Sequence, residues 1–268
     1  MSKSRLDSLL AERGLFESRS RAAAAVMAGK VRIGGDGRRA AKPGQMVAQD
    51  VDVSVDAADE YVSRGGVKLA NALDAFGVDV AGRRGLDVGA STGGFTDCLL
   101  QRGAEHVVAL DVAYGELHWS LRNDPRVTVV ERANARALRE ESLPYRPDLI
   151  VVDVSFISLT KVLPALLEVV PDGGAFDCLA LVKPQFELDR ERVGKGGVVR
   201  SAEDRLEALV RVGAYVADGL GHSVLGFASS GLPGPAGNRE SFVWIGPPGD
   251  PRGVSSMSAA AASTESAS

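Results

Sequence analysis

The segment Asp87-Val-Gly89-Ala90-Ser91-Thr92-Gly93-Gly94 sets an acid at the end of an apolar run and follows it with three glycines. A second apolar run ends in Asp111. Glycines at a strand-to-helix turn let a ligand approach the backbone, and open α/β sheets bind ligands beyond the carboxyl ends of their strands. The loop lacks the Gly-Lys-Ser/Thr ending of a phosphate loop, and its G-x-x-x-G-G spacing is not the G-x-G-x-x-G of a dinucleotide site. A pyrophosphate is therefore not its expected guest. Asp87 is placed to receive an amino group and Asp111 to accept hydrogen bonds from ribose hydroxyls; S-adenosylmethionine has both groups and no phosphate. The competing reading is that the glycines only make a tight turn. Two further strand-end charges, Asp153 after "LIVV" and Lys183 after "LALV", would reach the same edge on neighbouring strands, unless they simply point to solvent.

The elements that must position these residues can be read from periodicity. From Gly85 onward seven apolar runs ("GLDVG", "HVVALDV", "VTVVE", "LIVVDVSF", "FDCLALVKP", "HSVLGFASS", "SFVWIG") alternate with helical segments. Continuous apolar runs separated by helices predict a buried parallel sheet, and the closely spaced last two predict an antiparallel pair at its edge. Before them, Arg5 to Arg13 and Ser18 to Ala28 have helical spacing, and "KVRI" and "DVDVSV" read as short strands. The fold class is α/β: a Rossmann-like, mostly parallel sheet with one antiparallel edge strand, preceded by a small α+β domain. The expected boundaries are 1–57 for the small domain, 58–64 for a linker, 65–246 for the sheet domain and 247–268 for a disordered tail, which is poor in large apolar groups. In the helix after the linker, Leu69, Leu73 and Phe76 share one face.

Charge divides the chain in the same place. Residues 1–42 hold ten Lys/Arg against four Asp/Glu, net +6, so in a chain of net charge -4 the remainder carries -10. A compact basic end on an acidic protein predicts a polyanion-binding module. Arg5, Arg19, Arg21, Lys30 and Arg32, on or beside its helices and first strand, are the expected RNA contacts. No segment approaches the roughly 20 apolar residues of a membrane span, and the charged "MSKSRLDSLLAERG" is unlike a signal peptide, which predicts a cytoplasmic protein. Cys98 and Cys178, far apart in apolar surroundings, and His106, His118 and His222 show no disulfide or metal-ligand spacing, so no metal is expected.

Taken together, "LDVGASTGGFTDCLL", "SLRNDPRV", "VVDVSFISL", "LVKPQFE" and "LPGPAGNRESF" resemble the haemolysin-A-like (TlyA) family of ribosomal RNA 2′-O-methyltransferases, over about residues 3–246. The resemblance implies an S4-like RNA-binding domain before an FtsJ-like methyltransferase domain, S-adenosylmethionine as cofactor, and ribosomal RNA or ribosomal subunits as partner. The Lys-Asp-Lys-Glu tetrad it implies falls on Lys68, Asp153, Lys183 and Glu240. Lys183 is then the base, Asp153 and Lys68 orient it, and Glu240 bonds Lys68 or the ribose; an ordinary solvated charge is the other reading of Glu240. Two lysines buried close together should leave at least one short of a proton. Asn134, in "ERANARAL", matches the family position beside the adenine, or is a turn residue. The acceptor is expected to be a hydroxyl, because the strand end reads "DVSF" and lacks the Asn/Asp-Pro-Pro-aromatic motif of amino-group methylation, and both cysteines read as core. Neither a long apolar stretch nor a strongly amphipathic cationic helix supports pore formation. In "EYVSRGG" the linker differs from that of some relatives.

Overall fold

The computed structural model describes residues 2–56, 60–171 and 173–266. The chain divides into two compact units, 1–59 and 60–268.

In the first unit β1 (Lys3–Arg5) leads into α1 (Leu6–Glu12) and α2 (Arg19–Met27), followed by β2 (Val31–Ile33), β3 (Arg38–Arg39), β4 (Met46–Ala48) and β5 (Val53–Val55). Ser18 caps α2, its side chain accepting from the Arg21 N–H and satisfying one of the helix's orphan donors. β1 pairs with β4, and β2 lies between β3 and β5, all antiparallel. Leu6, Leu9, Leu10, Ala22 and Val26, the helical stripes of the sequence, pack with Val31, Ile33 and Val47 into one small core.

The second unit opens with α3 (Arg64–Phe76) and continues β6 (Arg84–Val88), α4 (Gly94–Gln101), β7 (His106–Leu110), α5 (Trp119–Arg122), β8 (Val127–Val130), β9 (Leu149–Val152), α6 (Leu163–Leu167), β10 (Asp177–Val182), α7 (Pro184–Glu187), α8 (Ala202–Ala214), β11 (Ser223–Ser229), β12 (Ser241–Gly246) and α9 (Met257–Ser266). All seven apolar runs become strands of one sheet, in the order β11-β12-β10-β9-β6-β7-β8. The pairs β8/β7/β6/β9/β10 are parallel, and β12 is antiparallel to both of its neighbours. The single reversed strand is thus one position in from the edge, with β11 outermost. Strand side chains alternate between two cores. Leu86, Val88, Ile150, Val152 and Ala180 face α6 and α8, while Leu149, Val151, Leu179 and Leu181 face α3 and α4. Leu69 and Leu73 of α3 are fully enclosed on the second face, where Phe76 packs on Trp244 with ring centroids 5.1 Å apart. Cys98 and Cys178 are free and buried, as core residues should be. Among the described residues no helix is long and apolar enough to cross a membrane.

Two boundary expectations are corrected. The linker 58–64 begins in residues 57–59, which lie outside the described residues, but 60–64 belong to the second unit. Tyr61 is buried against Gly66, where an added Cβ would come within 2.2 Å of the ring, and the Val62 N–H donates to Asp97 at 2.7 Å. The tail is not disordered over 257–266: α9 packs on α8 and β11. Its Ala261 is fully buried, Thr264 Oγ1 donates to the Phe227 carbonyl at 3.0 Å, and Glu265 receives Arg205 at 2.8 Å. Small alanines, which favour helix, dock on a face that larger residues already provide. Gly213 leaves the space for Met257, whose sulfur would stand 2.5 Å from a Cβ there.

Arg205 and Glu265 are each only 10% exposed, and without Glu265 the Arg205 guanidinium would keep no opposite charge, only its bonds to the Val199 and Arg200 carbonyls. Glu265→Ala is expected to destabilise the protein by roughly 3 kcal/mol, the lower end for breaking a buried ion pair. Urea unfolding measures this; an unchanged midpoint would return the tail to a disordered state.

Candidate active site

Parallel pairing delivers the ends of β6, β7, β9 and β10 to one edge, so Gly89, Asp111, Asp153 and Lys183 emerge side by side. Because β12 runs the other way, it is the residue before its start, Glu240, that reaches this edge; Ser241 pairs with Val182. A cavity of about 530 Å³ opens here, lined among others by Gly89, Ser91, Asp111, Asn134 and Asp153, and by Phe156. That size suits a nucleoside-sized ligand.

The glycine loop divides between ligand space and packing. Gly89, at φ +84°, lets the loop meet the strand beside it: a Cβ would come 2.5 Å from the Asp153 carbonyl oxygen. Ala90 is buried, and Thr92 is exposed with its carbonyl accepting the His118 N–H. Gly93 and Gly94 are not among the cavity-lining residues. Side chains at these positions would strike Leu121 at 2.3 Å and Ser63 Oγ at 2.2 Å, so packing alone requires glycine at both.

Asp111 Oδ2 accepts the Ser91 N–H and Oδ1 the Ala113 N–H, each at 2.7 Å, which ties the β7 end to the loop. Asp87 is fully buried and is not among the lining residues. Its Oδ2 accepts both the N–H and the hydroxyl of Thr96, at 2.8 and 2.7 Å, which fixes the start of α4. Its Oδ1 has no partner among the described residues. Burial, opposed by the Thr96 bonds and reinforced by the charges of Asp153 and Asp111, pushes the carboxyl up to about 7. Asn134 lines the cavity and also caps a short 3-10 turn, accepting the Arg136 N–H at 3.1 Å.

The four tetrad positions form two ion pairs. Lys68, on α3, meets Glu240 at 2.5 Å, with both side chains buried. The solvated reading of Glu240 is therefore set aside; its Oε1 is buried and without a partner among the described residues. Lys183 Nζ lies 2.6 Å from Asp153 Oδ1, at an angle outside hydrogen-bonding geometry, and donates to Ser155 Oγ at 2.9 Å. Each lysine thus has its own carboxylate, where the sequence suggested mutual repulsion between two cations.

Backbone strain clusters at the same cavity. Among the described residues Ser91, Arg132 and Phe156 are the non-glycine residues with positive φ, at 46°, 56° and 64°. Ser91 and Phe156 line the cavity, and Arg132 stands one residue before lining Ala133. Such conformations cost on the order of 1–3 kcal/mol each and gather at functional sites. Sequence reading missed Phe156, which is 91% exposed beside Asp153, and Glu116, which accepts from Ser91 Oγ at 3.1 Å. "DVSF" drew notice for Asp153, for the resemblance and for the motif it lacks, and not for its aromatic side chain.

In the basic unit, Arg5 and Arg19 converge on buried Asp7, at 2.8 and 3.2 Å, and Arg5 above all holds that carboxyl down at about 2. Arg21 pairs with Glu17 and Arg32 with Asp56, while Lys30 is half-buried. Lys3, Arg38, Arg39 and Lys42 are also exposed. Three of these four lie in "GGDGRRAAKPG"; they entered the net charge of residues 1–42 but were not singled out as RNA contacts.

Comparison with known proteins follows the same division. Residues 61–247 match the FtsJ-like methyltransferase family and residues 4–53 the S4 domain. The 16S/23S rRNA (cytidine-2′-O)-methyltransferase TlyA of Mycobacterium tuberculosis is 51% identical over 245 residues, 91% of this chain and 90% of that protein. YqxC of Bacillus subtilis is 44% identical, over 92% and 87% of the two chains. The solved structure of a hemolysin-named protein of Streptococcus thermophilus superposes with a TM-score of 0.73 at 38% identity, covering 99% of this chain and 97% of that one.

Asp87 gives a pH signature. Its folded value is raised above that of the unfolded chain, so between about pH 4 and 7 the folded state holds more protons at this group, and stability falls as pH rises through that window. Asp87→Asn should therefore stabilise the ligand-free protein at pH 8 by up to about 4 kcal/mol, with the gain fading towards pH 4. Thermal unfolding of both proteins across this range tests it; a gain independent of pH contradicts the assignment.

Proposed function

Because the chain belongs to the haemolysin-A-like (TlyA) family of FtsJ-like methyltransferases with an S4 domain, we propose that it methylates the 2′-hydroxyl of a cytidine in ribosomal RNA, using S-adenosylmethionine. The observation that carries this reading is the Lys183–Asp153 pair, whose acid lines a nucleoside-sized cavity at the carboxyl edge of the sheet.

The residues present fit the cofactor. Asp87, Asp111 and Asp153 stand at neighbouring strand ends, and the unpartnered Asp87 oxygen adds to a field that favours a cationic ligand. Gly89, Ser91, Asp111 and Asn134 would hold it, with Asp111 at the ribose and Asn134 beside the base. Asp87 acts from behind the wall, through its charge and its grip on Thr96. When bound, the cofactor supplies a methyl group on a sulfonium, ready for attack by an oxygen nucleophile.

A ribose hydroxyl is a poor nucleophile until its proton is shared with a base. Lys183 Nζ is the group placed to receive that proton as the oxygen attacks. Asp153 stabilises the ammonium that forms, and Ser155 Oγ directs Nζ. Lys68 and Glu240 neutralise one another inside the protein and hold α3 to the start of β12 beside the site. The S4 unit supplies RNA affinity through its exposed cations, among them Arg5 and Arg19 presented together by Asp7. Ribosomal subunits, and hence the cytoplasm, are the natural setting.

Lys183→Met should keep cofactor binding and lower single-turnover methylation by about 10²–10⁴-fold. Lys183→Arg should do little better, since guanidinium cannot release its proton. Transfer of labelled methyl groups to ribosomal RNA provides the assay; a nearly fully active arginine variant would make Lys183 a positioning charge. In the S4 unit, Arg19→Ala or Arg39→Ala should each flatten the slope of log affinity against log salt by about 0.7–0.9 if the residue contacts phosphate. RNA binding titrated at several salt concentrations reads this directly, and an unaltered slope removes that residue from the interface.

A further inference from the structure

Direct pairing of β9 with β10 ends at Val152 with Ala180: beyond it the Asp153 N–H donates to the Val88 carbonyl of β6, while β10 runs on to Val182 against β12, so the sheet does not join the loop after Asp153 to the turn after Lys183. The loop 153–159 and the turn 183–187 are instead joined side chain to side chain. Lys183 reaches Asp153 at 2.6 Å and Ser155 Oγ at 2.9 Å, and Phe156 packs on Phe186 with ring centroids 5.3 Å apart. At the far end stands Glu187. Its Oε2 accepts from Ser158 Oγ at 2.6 Å and its Oε1 from the Leu159 N–H at 2.8 Å.

Glu187 is only 5% exposed. Burial pushes its carboxyl up, opposed by the two hydrogen bonds and, more weakly, by Arg211, which donates to the Glu187 backbone carbonyl at 3.0 Å. An acid in so dry a place is costly unless its position is needed. Its bonds close the one end of the 153–159 loop that neither strand pairing nor Lys183 holds, and the left-handed backbone of Phe156 in the middle of that loop needs support from both sides.

We propose that Glu187 is a positioning residue for methyl transfer: by anchoring Ser158 and Leu159 it holds the 153–159 loop so that Asp153 and Ser155 meet Lys183. The proposal rests on the reading of Lys183 and Asp153 as the proton-transfer pair. Glu187 acts through the loop and touches no reacting atom.

The test compares Glu187→Ala, Glu187→Gln and Ser158→Ala with Lys183→Met in the full-length protein. Measured for each are the single-turnover methylation rate and the affinities for S-adenosylmethionine and RNA. Glu187→Ala should lower the rate by about 10²-fold, the scale of a misplacement of roughly 1 Å, with both affinities within about twofold of wild type. Glutamine can accept from the Leu159 N–H and donate to the Ser158 hydroxyl, so Glu187→Gln should recover the rate to within about threefold. Ser158→Ala, which leaves one of the two bonds, should lose less, in the rate alone. A wild-type rate in Glu187→Ala, or a loss of cofactor affinity in step with the rate in Glu187→Ala or Ser158→Ala, would overturn the proposal, because a merely structural role predicts one or the other. If Lys183→Met remained active, it is the underlying reading of the pair that would fail.

Discussion

Negative charge at the carboxyl edge of the sheet is the constraint around which the site is arranged. Asp87, Asp111 and Asp153 belong to three neighbouring strands, and parallel pairing leaves no freedom to send them to different edges. Like charges brought this close, one of them out of water, are tolerated only if something answers them. Asp111 is met by two backbone N–H groups and Asp153 by Lys183; Asp87 is met by Thr96 on one oxygen alone. The uncompensated remainder makes the edge a place for a cation. Stability is thereby given up in the ligand-free protein.

A second consequence of strand direction is the source of Glu240. A wholly parallel sheet would bring only residues that follow strands to the binding edge. Reversing β12 brings one that precedes a strand, and places it where Lys68 from α3 can meet it across 172 residues of sequence. The pair is buried, so each charge depends on the other, and removing either would leave an isolated ion in the interior. The Lys183–Asp153 pair is more open, with Asp153 26% exposed. Of the two, the more accessible pair is the better suited to exchange a proton, and the enclosed one to fix the geometry around it.

The S4 unit uses the same logic with the opposite sign. Buried Asp7 gathers Arg5 and Arg19, whose side chains remain about half exposed, so an acid inside a basic module serves to arrange its cations. Counting net charge places such a module correctly and says nothing of this arrangement.

Local periodicity was enough for the seven strands, for the stripe Leu69, Leu73 and Phe76, and for the two N-terminal helices, because alternation and helical spacing are properties of a few consecutive residues. Strand-end chemistry was legible for the same reason: Asp111, Asp153 and Lys183 directly follow apolar runs that can only be strands, and the resemblance added Lys68 and Glu240. Tertiary structure alone decided who meets whom. That Lys68 takes Glu240 and Lys183 takes Asp153 follows from strand order and direction, which composition does not carry. That Gly93 and Gly94 serve packing depends on Leu121 and Ser63 arriving from elsewhere in the chain. The alanine-rich tail has too little large apolar surface to predict a fold by itself, and becomes a helix because α8 and β11 offer a finished face and Arg205 an ion-pair partner. Glu187 went unread within "LVKPQFE" because its work is done 28 residues away, on a loop that only the pairing of β9 with β10 brings beside it.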